Sequence, residues 1–288
     1  MRHPRLPPPY PPPPERSAEV RRLFGEEARS ERPDLSALCL LIGAEADGSL
    51  DEAGVDAAQL ELDRLAGQLP YGPGGPHAWA QALCRLLGER YGFSGSAGDY
   101  ERLESSLLHE VLRRRRGLPI LLSVVWLEVA RRAGAPVYGV ALPGHFVVGF
   151  GPPEEQVLAD PFDGGRVLTG ADADLLVQGA TGTPLEPSML VPAAPLDVVQ
   201  RILNNIRAWA APRPERSDVG LWAVELALLL PAHPARLRYE RGQLLVQRGE
   251  FTQGAEELDA YAHLIEVVDE SAAHKVRQEA HSARAMLN

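Results

Sequence analysis

RRRRGLPILLSVVWLEVARRAGAPVYGVALPGHFVVGFGPPEEQVLADPFDGGR, residues 113–166, is the stretch on which the fold turns. It reads as the end of one helix, a Gly-Leu-Pro turn, a second helix over Ile120–Ala133 that is apolar on nearly all sides, and then short runs rich in Val and Phe. A helix apolar all round is buried inside a domain. Short β-branched runs bounded by Pro-Gly or Gly-Pro-Pro are strands. VYGVAL, HFVVGF and QVLAD are therefore predicted strands, with RVL starting another after the Asp163-Gly164-Gly165 turn. Gly117 is predicted to cap the first helix, and Pro119 to sit in the first turn of the second, where its missing N–H is no loss.

Pairing HFVVGF with QVLAD as a hairpin, with Gly151–Glu154 in the loop, sets Phe150 opposite Glu155, Val148 opposite Val157 and His145 opposite Asp160. Directly opposed residues have Cβ atoms ~4.5–5.5 Å apart, close enough for a hydrogen bond across the ladder. The order helix, His-bearing strand, Asp-bearing strand is that of a site in which a nucleophile on the helix is served by a His and an Asp.

Upstream, residues 4–14 are mostly proline and are expected to form an extended or disordered arm within a tail over 1–16. Helical patterns follow over 17–95: SAEVRRLFGEEA, LSALCLLIGAEA, DEAGVDAAQLELDRLAGQL, with Val55, Leu60, Leu62 and Leu65 as its buried stripe, and HAWAQALCRLLGERYGF. Another helix is predicted from about Tyr100 to Arg116. A core over 96–178 precedes a surface linker over 179–195, rich in Pro, Thr and small residues. Residues 196–288 are helical again. There the spacing of Gly242, Gly249, Phe251, Leu258 and Tyr261, with Gly254 as a small packing residue, resembles a tetratricopeptide helix pair.

The net charge of −10 argues against nucleic acid or an anionic membrane as the main partner. Arg113–Arg116, the one concentrated basic run, sits where arginines favour a helix C-terminus. No run approaches the ~18 apolar residues of a membrane span. The start has no apolar signal segment, so a cytoplasmic location is expected. Cys39 and Cys84 lie in apolar helical patterns as buried, inert thiols. No cofactor is expected.

The elements GLPILLSVVWLEVARRAGAPVYGV, LPGHFVVGF and ADPFDGGR resemble the SirB-type branch of the transglutaminase-like superfamily, a bacterial group that joins such a core to a tetratricopeptide-like region. The resemblance implies an α+β, mostly helical protein: a papain-like core in which a buried helix packs on a small antiparallel sheet, with helical regions on either side. Arg131, Gly134 and Pro136 match the second half of the superfamily's nucleophile-helix pattern, and His145 and Asp160 match its catalytic pair. The same alignment puts Pro119 where the cysteine belongs, and proline has no nucleophile. Ser123, one turn further along the helix, is the best substitute. The reading is a non-catalytic core that binds a protein or peptide in a cleft around Pro119, Gly144, His145, Asp160 and Asp163. The alternative is an amidase- or peptidase-like hydrolase in which His145, oriented by Asp160, activates Ser123 or a water. A metal held by His145, Asp160 and Asp163 has no evident fourth ligand, and no metal is expected.

Overall fold

The structure is a computed structural model that describes residues 9–152 and 155–286. It divides into two compact units: the described residues up to Val20 with Arg32–Ile202, and Arg21–Glu31 with the residues from Leu203 onward. The first unit includes both the helical region, Arg21–Glu31 apart, and the core expected on either side of residue 95. No described helix is long and apolar enough to cross a membrane.

In the first unit, α1 opens at Pro14 (Pro14–Ala28). Residues 1–8 of the expected tail lie outside the described residues, but Pro9–Pro13 is not a free arm. Tyr10 O accepts from Gly48 N at 2.8 Å, Pro12 is buried, and a Cβ on Gly48 would come within 3.0 Å of the Pro12 Cα. α2 (Leu35–Ala46) and α3 (Glu52–Ala66) begin at Asp34 and Asp51, whose carboxylates accept from Ala37 N and Gly54 N. Leu62 and Leu65 are fully buried, whereas Leu60 is 66% exposed and does not belong to the stripe.

α4 (Pro76–Leu83) runs into a π-helical segment over Cys84–Arg90. The single helix predicted from Tyr100 to Arg116 is broken into 3₁₀ turns at Ala97–Glu101 and Leu103–Ser106, followed by the short α5 (Leu108–Arg114). Asp99 is the physical reason. Its buried carboxylate accepts from Ser96 N, Ser96 Oγ and the Arg116 guanidinium, with Arg114 3.6 Å away, and it fixes a tight turn that an α-helix would pull apart. α5 ends on Arg115, held in the left-handed conformation at φ +57°, not on Gly117. Gly117 is instead a point of close approach, where a Cβ would meet Val111 at 2.7 Å. The basic run is consumed by these contacts. Arg113 pairs with Glu110, Arg114 and Arg116 hold Asp99, and Arg115 donates to Tyr91 O and lies over the Tyr91 ring.

α6 (Pro119–Arg132) is buried from Pro119 to Ala130 and packs on the sheet and on the Pro161–Asp163 turn. The sheet is an antiparallel meander of β1 (Val137–Val140), β2 (Val147–Phe150), β3 (Val157–Asp160) and β4 (Arg166–Leu168). Val140, Val147, Leu158 and Leu168 form one apolar cluster with Ala173 and Val177 of α7 (Gly170–Thr181). The stretch expected to be a surface linker contributes to this cluster through Leu185, Met189 and Leu190. Its backbone also meets β1, with Ala193 N donating to Gly139 O.

The turn after β3 comes very close to the chain that precedes α5. A Cβ on Gly88 would lie 1.8 Å from Gly164 O, and one on Gly95 would lie 1.9 Å from the Phe162 ring. Gly95 N donates to Phe162 O at 2.9 Å. α8 (Pro195–Ala210) then leads out of this unit.

In the second unit, α9 (Ser217–Leu229), α10 (Arg236–Gln247), α11 (Phe251–Ile265) and α12 (Glu270–Ala285) follow in turn. α10 and α11 meet through their glycines, as the repeat spacing predicts: a Cβ on Gly254 would be 2.9 Å from Gly242 O. α12 adds Ala273, Val276, Ala280 and Ala283 to the cluster of Ala255, Leu258 and Ala262. Arg21 pairs with Glu225, which also accepts from Arg241.

Gly88→Ala is expected to lower the stability of the first unit by about 2 kcal/mol or more, because neither backbone can yield without moving the turn. Gly170→Ala, with nothing within 4 Å of the new methyl, serves as its control and should be neutral or slightly stabilising. Urea unfolding of the two variants that gave equal midpoints would refute the close packing.

His109 on α5 is largely enclosed, and neither ring nitrogen has a hydrogen-bond partner among the described residues. Burial pushes it below the usual histidine value, against the pull of Glu110 and Asp47. The unfolded chain therefore takes up this proton first. The His109 contribution is full above the unfolded value of about 6.5 and declines as pH falls below it. His109→Gln should flatten the loss of stability between pH 7.5 and 5.5, measured by urea unfolding at each pH.

Candidate functional site

His145 closes a tight turn. His145 N donates to Leu142 O at 3.2 Å, Pro143 and Gly144 are the central residues, and Gly144 has φ +70°. This is the pattern of a type II turn, in which the third position calls for glycine. A Cβ on Gly144 would also come within 2.6 Å of the Ala180 Cβ. The turn is tied down from α8, where Arg201 Nη2 donates to Leu142 O at 2.8 Å and to His145 O at 2.7 Å. The Arg201 guanidinium lies 5.6 Å from the Phe146 ring centre.

Asp160 ends β3 with its side chain almost fully buried. Oδ1 accepts from Phe162 N at 2.9 Å, and Oδ2 lies 2.9 Å from His145 Nε2. The predicted pair is therefore made, but not in the predicted register. Val148 is opposite Ala159 and Phe150 opposite Val157, a slip of two residues from the expected hairpin. Continuing this register sets Asp160 across from Val147, and His145 precedes the strand. A two-residue slip keeps every side chain on its face, and diagonal neighbours remain within reach of long side chains. Parity therefore preserved the pair although the register was wrong. Glu154 of the expected loop lies outside the described residues.

Phe162 stands beside the pair, edge-on to the His145 ring at 5.9 Å and to the Tyr100 ring at 6.2 Å. Tyr100, half-exposed, is pushed up by burial and by Asp160, and Arg201 draws it partly back. Tyr100 and Arg201 are site residues that no motif announced, since each comes from an element distant in sequence from the His and Asp. Asp163 is not joined to the pair: it binds Arg166 at 2.7 Å on the surface. Among the described residues no cluster of His, Cys, Asp or Glu is arranged to hold a metal ion.

The helix expected to carry the nucleophile is α6. Pro119 is its first residue and is buried. Ser123, expected as the substitute, has 0% exposure, and its hydroxyl donates to Phe146 O at 3.2 Å. This bond ties α6 to the His145 segment, with the hydroxyl sealed from solvent. Cys39 is buried and its thiol is pushed far up by burial; Cys84, partly exposed, is also pushed up, so neither favours the thiolate. The Arg131-x-x-Gly134-x-Pro136 motif is structural. Arg131 pairs with the buried Glu128 at 2.7 Å, Gly134 turns the chain at φ +82°, and Pro136 O accepts from Gly151 N.

Comparison with known proteins agrees with this architecture. A UPF0162 protein of Xylella fastidiosa is 32% identical over 188 residues, covering 64% of this chain and 66% of that protein. A UPF0162 protein of Pseudomonas aeruginosa is 36% identical over 130 residues, covering 44% of this chain and 47% of that protein. The chain thus spans about half to two thirds of the length of these bacterial relatives. F-box only protein 21 of Homo sapiens is 28% identical over 133 residues, 43% of this chain and 20% of that protein. Residues 206–288 match the tetratricopeptide repeat. Residues 56–204, more than half of the chain and the whole of the His145–Asp160 frame, match the transglutaminase-like superfamily, and to that family the chain belongs.

Proposed function

We propose that this protein is a pseudoenzyme: a transglutaminase-like core without thiol chemistry, acting in the cytoplasm as a regulatory or scaffolding module that binds protein or peptide partners. The observation that carries this reading is the helix start. Aligned on Arg131, Gly134 and Pro136, the sequence puts Pro119 where the superfamily pattern has its cysteine, and the one hydroxyl on α6, that of Ser123, donates to Phe146 O. His145 and Asp160 then have nothing on α6 to activate. They keep a rigid, half-polar wall with Tyr100 and Phe162, the kind of surface that orients a bound segment.

The tetratricopeptide region supports the same direction, because such repeats are generally protein-interaction modules. Within the second unit, α10 and the residues around the start of α9 enclose a groove of about 340 Å³ lined by Arg207, Arg236, Tyr239 and Gln243 among others. The free cysteines fit a reducing compartment.

The test is labelling of the full chain with a fluorophosphonate and with iodoacetamide, each in the native chain and in His145→Ala. No His145-dependent labelling is expected. A signal that disappears in the His145→Ala chain would show an activated nucleophile and end the pseudoenzyme reading. Ser123→Ala should cost about 1 kcal/mol, the net worth of one hydrogen bond, as measured by urea unfolding. A far larger effect on partner binding than on stability would return Ser123 to the site.

A further inference from the structure

Arg201 is a half-buried cation without a counter-ion. Its Nη2 is taken by the carbonyls of Leu142 and His145, and among the described residues no carboxylate pairs with it. Burial pushes its guanidinium down from the ordinary arginine value. Charges removed from water are as a rule paired, and two backbone carbonyls with an aromatic face are a partial substitute. A guanidinium carries five N–H donors. Those on Nε and Nη1 bond to no described residue, yet these atoms are not sealed from solvent.

The groups around it are open in the same way. The Tyr100 hydroxyl bonds to no described residue, and its ring is half-exposed. His145 gives Nε2 to Asp160 and keeps Nδ1 without a partner and not sealed from solvent. Phe162 lies between the two rings as an apolar floor. The acidic group of the neighbourhood, Asp160, is already engaged with His145 and Phe162 N.

We infer that Arg201, with the Tyr100 hydroxyl, forms a carboxylate-binding site that receives an acidic side chain or the C-terminus of a peptide laid over Phe162. A carboxylate accepts a charge-assisted hydrogen bond from one of the open Arg201 N–H groups and a second from the Tyr100 hydroxyl. A dianion such as phosphate meets the same donors with the Asp160 charge close by, so the site selects single negative charge. The inference deepens the proposed binding role and rests on it, since it makes the cleft a receptor for a ligand group.

The experiment is a titration of the full ¹⁵N-labelled chain, following the Arg201 Nε–H and His145 ring signals by NMR. The probes are acetyl-Ala-Glu-Ala-amide, its Gln analogue, acetyl-Ala-Ala-Ala with a free C-terminus, and inorganic phosphate. At least one carboxylate peptide should shift these signals saturably, and the stronger of the two identifies the source of the carboxylate. The Gln analogue and phosphate should bind at least several-fold more weakly. Arg201→Met should weaken binding about tenfold, the loss of one charge-assisted pair. Because Arg201 also holds the His145 turn, Arg201→Lys and Tyr100→Phe are measured beside it. Tyr100→Phe removes a hydroxyl that makes no internal bond and should weaken binding several-fold, with the free-state His145 signals unmoved. Equal binding of the Glu and Gln peptides, tighter binding of phosphate, no saturable shift with either carboxylate, or native affinity in both Tyr100→Phe and Arg201→Lys would each overturn the assignment. The labelling experiment reads nucleophile reactivity and not Arg201 occupancy, so failure of one reading is distinguishable from failure of the other.

Discussion

The turn from Asp160 to Gly165 passes so close to Gly88 and Gly95 that no side chain fits between, and the geometry of the site depends on this contact. Gly165 N donates to Asp160 O at 2.7 Å, and Gly95 N to Phe162 O at 2.9 Å. The backbone on either side of the Asp160 side chain is thereby fixed, and the carboxylate accepts from Phe162 N. Phe162 is held in the same way, and it is the surface against which the rings of His145 and Tyr100 are set. Arg201 performs the matching task for the His145 turn. The pair is thus held from several separate elements, and its geometry is a packing property of the fold.

Much of this was legible in residue order. The all-round apolar pattern of Ile120–Ala133 announced the buried α6, and Pro119 its first turn. The short runs between Pro-Gly steps announced the strands, and the side-chain parity of a hairpin brought His145 to Asp160 although the register was two residues off. The glycine spacing at 242 and 254 announced the contact between α10 and α11. What was missed has a common cause. Asp99 breaks the helix predicted from Tyr100 through contacts with Arg114 and Arg116, and periodicity carries no trace of such partners. α7 buries only Ala173 and Val177, too weak a stripe to stand out. Arg201 and Tyr100 join the site from distant elements, which no local spacing reveals.

Superfamily membership describes the core and says little about its present use. A buried proline at the head of α6 suits the helix start, because it supplies the right backbone angle and asks for no hydrogen bond. Ser123 points inward and holds the strand segment through Phe146 O. The polar groups left open beside the pair are N–H groups of Arg201 and the hydroxyl of Tyr100. Such donors recognise acceptors, and this gives the core a chemical preference.

The second compact unit takes Arg21–Glu31 from near the start of the chain and everything else from Leu203 onward. Arg21 and Glu225, joined by an ion pair, are 204 positions apart. A segment made early in synthesis must therefore wait for the last third of the chain before its partners exist. Loop closure over such a distance is slow, and unsatisfied surface stays open meanwhile. The order of folding is thereby constrained: the first unit can complete its own contacts before Leu203 and the residues after it are made, and Arg21–Glu31 must wait for them. Excising residues 203–288 as a fragment would remove part of that unit's own core, beginning with the fully buried Phe24.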